Sequence, residues 1–195
     1  MASDASSVRY LPAGTRAVKI VVLGALGVGK TTYIGTISEI VPLCTDEPMT
    51  EAGELVDRMS DDTKSTTTVA MDFGRRTLDG GIVVYLFGAP GQPRFADMIR
   101  SLLDGALGGL VLVDTRDLGA SFESMCLLEE AGVPYVVAIN TFANAPFYDE
   151  EVLRDSLTLP PDRPLVHLDA RDVESAKTGL ITLIEDILRP LRSHA

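Results

Sequence analysis

The stretch VKIVVLGALGVGKTTYIG, residues 18–35, decides the fold. Residues 18–24 are almost continuously apolar, as in a strand covered on both faces. Glycines at positions 24, 27 and 29 then interrupt the run, and Lys30 opens a helix-compatible segment. Three further Val/Ile/Leu-rich runs, 81–88, 108–114 and 133–140, repeat the first in length and character. Helical patterns lie between and after them, over 30–41, 95–106, 121–131, 149–156 and 173–191. Strand alternating with helix predicts an α/β three-layer sandwich around a mostly parallel sheet of about six strands. Residues 69–78 should pair antiparallel with 81–88 through the turn at Asp79, Gly80 and Gly81, giving one antiparallel edge strand, and 164–168 should be the last strand.

Gly24, Gly29, Lys30 and Thr31 fill the pattern G-x-x-x-x-G-K-[ST] between a strand and a helix, the setting in which that pattern cradles phosphate. Glycines let the backbone turn and aim its amides inward. The helix start adds its partial positive charge. The phosphate-binding set is therefore Gly24, Ala25, Gly27, Val28, Gly29, Lys30, Thr31 and Thr32, with Lys30 bridging the outer phosphates and the Thr31 hydroxyl on Mg²⁺. A cradle of this kind serves kinases, ATPases and GTPases alike, so the base and the reaction must be read elsewhere.

Composition narrows the classes. The 195 residues carry 46% hydrophobic and 23% charged side chains, ordinary for a globular chain, and suggest one domain over 16–195 behind a polar tail, 1–15. A net charge of −11 repels a polyphosphate backbone, which argues against nucleic acid as a partner. No apolar run is long enough to span a bilayer and neither terminus has a lipidation box, so a cytoplasmic protein is expected, with any membrane recruitment left to a partner. Cys44 and Cys126 have no metal-ligand spacing and read as free thiols. The stretch 42–66, with two prolines and many acids, reads as a long surface segment.

TTTVAMDF, LFGAPGQPRF, AIN and DAR follow the cradle in that order, and together they resemble the Ras-like small GTPases, in particular the bacterial gliding-motility polarity and actinobacterial conservon branches. The resemblance covers about 18–191. It implies that Thr68 closes on Mg²⁺ and the terminal phosphate, with Thr66 and Thr67 as neighbouring alternatives. It further implies that Gly91 contacts phosphate and that Gln92 positions the attacking water. Gly88 stands where most of these proteins keep an aspartate in the outer shell of Mg²⁺, and Asp72 is one candidate for that role. Pro90 stiffens the second switch. Arg75, Arg76 and Arg94 flank the switches, but none is assigned as an arginine finger.

For the base, the resemblance implies a site at Asn140, Phe142, Asp169, Ala170 and Arg171. Asn140 matches the first position of N-K-x-D, but the position of the base-reading aspartate holds Ala143, which should relax the preference for GTP over ATP. Ala170 would offer its amide to the base carbonyl. Asp169 would either help read the base or cap the following helix, and Phe142 would either stack on the base or pack in the core. The expectation is a switch binding GTP or GDP with Mg²⁺ and signalling through a protein, by resemblance of the roadblock type. The alternatives are a hydrolysis-poor scaffold and a P-loop ATPase or small-molecule kinase.

Overall fold

The computed structural model describes residues 14–44 and 71–192. Seven strands form one sheet in the order β2-β3-β4-β1-β5-β6-β7. They are β1 (Arg16–Leu23), β2 (Leu43–Cys44), β3 (Asp72–Leu78), β4 (Ile82–Gly88), β5 (Gly108–Val113), β6 (Tyr135–Asn140) and β7 (Leu165–Leu168). β1, β4, β5, β6 and β7 are mutually parallel, and β3 runs antiparallel to β4. The two-residue β2 adds to the outer side of β3. The helices are α1 (Lys30–Ile37), α2 (Ala96–Leu103), α3 (Phe122–Glu130), α4 (Glu150–Ser156) and α5 (Val173–Arg192).

Alternation along each strand divides the core between the two faces. Ile20, Val22, Leu110, Leu112, Val136 and Ala138 point to one side, where Tyr33 and Ile34 of α1 and Leu180 and Leu183 of α5 cover them. Val21, Leu23, Val111, Val113, Val137 and Ile139 point to the other, against Ile99 and Leu103 of α2, Met125 and Leu128 of α3 and Leu153 of α4. Both faces being apolar explains the nearly continuous hydrophobic runs. Gly108 and Gly109 open β5 because two helices come close there: a Cβ at 108 would sit 2.9 Å from Ile187 Cδ1, and one at 109 would sit 2.5 Å from Leu128 Cδ2.

The elements read from sequence are found within a few residues of their expected bounds. The first helix stops earlier, at Ile37, because Ser38 is extended (ψ 136°). Its hydroxyl donates to the Ile40 carbonyl and accepts from the amides of Ile40 and Arg75, offering the chain an alternative to another helical turn. The β3–β4 hairpin turns at Gly80 and Gly81, both at positive φ.

One core residue breaks the rule that buried polar atoms are paired. Tyr33 is 1% exposed and its hydroxyl has no hydrogen-bond partner among the described residues. Tyr33→Phe should therefore hold or raise thermal stability, by up to about 1 kcal/mol in a denaturant titration. A loss of more than that would mean the hydroxyl has a partner in solution.

Candidate functional site

The site lies at the carboxyl ends of β1, β4, β6 and β7, where β1 marks the reversal of strand order that open α/β sheets use for ligands. Gly24 ends β1 at φ 135°, and a Cβ there would lie 2.4 Å from the Leu112 carbonyl oxygen. Gly29 precedes α1 at φ 100°, a left-handed conformation that glycine adopts freely. No side chain caps α1 and no acid sits in its first turn, so the helix start is left for an exogenous anion.

Lys30 is drawn back along the loop. Its ammonium donates to the carbonyls of Gly24 (2.8 Å) and Ala25 (2.7 Å) and is 9% exposed. Burial lowers its pKa to about 8, against the opposing pull of the Asp72 carboxylate. The neighbouring Thr31 hydroxyl donates to Asp72 Oδ2 at 2.7 Å. Gly91, on the segment after β4, presses against the same loop: a Cβ there would lie 2.6 Å from the Leu26 amide nitrogen and 2.8 Å from Lys30 Nζ. Gln92 follows, half-buried, with its carbonyl accepting from the Phe95 amide in the short turn Pro93–Phe95 that leads into α2.

Asn140 is 4% exposed and fully engaged. Its Nδ2 donates to the Val28 carbonyl (2.9 Å) and its Oδ1 accepts from the Ala170 amide (3.0 Å), so one side chain ties the cradle loop to the loop after β7. The Ala170 amide, expected to face the base, is thus directed to Asn140. Asp169 and Arg171 close on each other: the carboxylate accepts from the Arg171 amide (2.9 Å), Nε (2.9 Å) and Nη2 (2.7 Å). The arginine holds the Asp169 pKa down at about 2. Capping of α5 falls to Asp172, whose Oδ1 accepts from the Ser175 amide at 2.8 Å, and not to Asp169. Phe142 is half-buried rather than in the core, its ring covered by the Arg116 guanidinium at 4.3 Å. Ala143 is exposed.

Thr68, its neighbours Thr66 and Thr67, and most of the acidic stretch fall outside the described residues. Arg75, one of the arginines flanking the switches, is paired with Glu39 at 2.9 Å. Asp72, only a side candidate in the sequence, is 8% exposed and the most telling addition to the site. Among the described residues no three acidic, histidine or cysteine side chains group to hold a metal by themselves. A threonine hydroxyl beside one carboxylate instead suits Mg²⁺, which keeps waters and shares phosphate oxygens. Cys126 is an exposed free thiol, and no described helix is long and apolar enough to cross a membrane. A depression lined by Leu103, Ala106, Gly132 and Pro134 lies at the opposite ends of β5 and β6, away from every predicted site residue.

Fold and cradle together define a nucleotide-binding P-loop domain. Among solved structures the fold is similar to the G domain of the T. maritima FeoB iron transporter, at a TM-score of 0.58 and 19% identity, covering 89% of this chain and 98% of that one. The chain belongs to the family described as conserved hypothetical ATP binding proteins, whose model matches residues 22–190. No curated protein matches it.

Proposed function

We propose that this chain is a nucleotide-dependent molecular switch that binds GTP or GDP with Mg²⁺, hydrolyses GTP slowly and signals through a protein partner. The approach of Gly91 to Lys30 and to the backbone of Ala25 and Leu26 carries this reading, because it brings the second glycine motif beside the cradle, as a contact with the terminal phosphate requires. In this reading Gly24, Ala25, Gly27, Val28, Gly29, Lys30, Thr31, Thr32 and Gly91 hold the phosphates. Thr31 and Thr68 ligate the metal, which supplies charge neutralisation between the outer phosphates when bound. Gln92 positions water, and its half-buried place one residue beyond Gly91 supports that role. The partner surface would include Thr68, 69–73 and 92–95, with a roadblock-type protein as the family resemblance suggests and 16–195 acting as one unit.

A second reading is a P-loop ATPase, or a scaffold with little turnover. Exposed Ala143 in place of a base-reading carboxylate favours relaxed base choice, as does membership of a family described as ATP-binding. Calorimetric Kd values for GDP, GTP and ADP with Mg²⁺ separate the readings. Guanine preference supports the switch, and adenine preference replaces it with the ATPase. Gln92→Ala should lower phosphate release at least about tenfold while leaving nucleotide Kd within about threefold, the split expected of a group that acts on the transition state. Unchanged turnover would remove Gln92 from the chemistry.

A further inference from the structure

Large apolar side chains left at the surface gather on the loop that joins β6 to α4 and on the first turn of that helix. Phe147 is 81% exposed, Val152 47% and Tyr148 37%. Isolated exposed hydrophobics need no explanation, but several together mark a surface kept for contact. The loop is held in shape while it displays them. The Thr141 amide donates to the Leu168 carbonyl (2.8 Å), the Ala145 amide to the Phe142 carbonyl (3.1 Å) and the buried Thr115 hydroxyl to the Pro146 carbonyl (2.7 Å). The Phe147 ring lies beside the exposed His167 imidazole of β7, with centroids 6.1 Å apart. Anchors presented on a fixed loop lose little conformational freedom on docking.

The charge around these residues selects what covers them. Residues 141–153 contain Asp149, Glu150 and Glu151 and no lysine or arginine. Glu150 pairs with Arg154 at 2.8 Å, whereas Asp149 and Glu151 have no ion-pair partner among the described residues. The Arg116 guanidinium over Phe142 is already met by the Asp114 carboxylate. The field over the patch is therefore negative, in a chain of net charge −11. An anionic bilayer would be repelled. A second copy docking through the same patch would bring the two acidic runs together, at a cost in like-charge repulsion. We propose that Phe147, Tyr148 and Val152 form a docking surface for a partner protein segment that carries an apolar or aromatic anchor flanked by Lys or Arg. The anchor covers Phe147 and Val152, and the flanking cations meet Asp149 and Glu151.

This surface goes beyond the nucleotide reading and does not depend on it, so the test uses the nucleotide-free full chain. The probe is a short amphipathic peptide of Leu, Trp and Lys, with a counterpart in which Glu replaces every Lys. Amide shifts followed by NMR during titration should change most over 141–153 and at His167, and added salt should weaken binding. Phe147→Ser should raise Kd at least about tenfold, and Val152→Ser about threefold or more, the losses expected when an interface anchor is removed. Both side chains are largely exposed, so the variants should melt like the wild type. Ile181→Ser, at an exposed apolar position of α5, should leave Kd unchanged. Shift changes centred elsewhere, no binding by the wild type, equal binding of the acidic peptide, or an equal loss in Ile181→Ser would each overturn the inference. So would sedimentation showing a dimer that Phe147→Ser dissolves, or Phe147-dependent binding to phosphatidylglycerol vesicles, which would assign the patch to a second copy or to a membrane.

Discussion

Lys30→Ala should weaken nucleotide binding at least about 100-fold, the loss of two or more charge-assisted hydrogen bonds to phosphate at roughly 1.5–3 kcal/mol each. The fold should tolerate the change, because the ammonium makes only two hydrogen bonds, to the Gly24 and Ala25 carbonyls of its own loop. The wild type carries a pH signature that the variant must lose. In the nucleotide-free protein Lys30 titrates near 8. Bound phosphate raises that value, so above pH 8 binding takes up a proton. Affinity is therefore fully present below about pH 8 and falls as pH rises toward the bound-state pKa, by up to about tenfold per unit. Calorimetry of the wild type and Lys30→Ala at pH 7 and pH 9 tests both points. Equal Kd for the two proteins at pH 7 would remove Lys30 from the site.

Asn140→Ala should be the most destabilising single change at the site. It leaves the Val28 carbonyl and the Ala170 amide without their partners in a place where the asparagine is 4% exposed. Each buried orphan costs about 1–3 kcal/mol, so a loss of roughly 2–4 kcal/mol is expected, some 5–15 °C in melting temperature for a chain of this size. Asn140→Asp should fall between wild type and alanine or below, because it keeps an acceptor for Ala170 but sets an oxygen against the Val28 carbonyl. The change also reaches the cradle, since a Cβ at Gly29 would lie 2.7 Å from Asn140 Nδ2 and the two loops are packed through that contact. A melting temperature within about a degree of wild type would show that the bridge contributes nothing net.

Most of the fold could be read before any coordinates, because strands buried on both faces leave uninterrupted apolar runs and the cradle motif sits at a strand-to-helix junction whose geometry is nearly invariant. The place of Asp72 was half legible. Both Asp72 and Gly88 stand eight residues from Gly80, the centre of the expected turn, so a correct hairpin puts them opposite each other. What the spacing cannot say is on which face the pair lies, or that Thr31 of a helix reaches the same point. The base end was less legible for a different reason. Asp169, Arg171 and Ala170 are polar groups with several partners within reach, and short loops settle such choices by local closure, here Asp169 on Arg171 and Ala170 on Asn140. Periodicity carries no information about that competition.

The two glycines that open β5 set a limit on how this sheet could be rebuilt. By intrinsic preference valine or isoleucine would strengthen the strand, yet Ile187 presses on one side of it and Leu128 on the other. Side chains of the two opposing helical layers therefore both reach bare backbone here, at neighbouring positions of one strand. Widening this waist would push α3 or α5 outward, and through α5 would shift the loop that carries Ala170 away from Asn140.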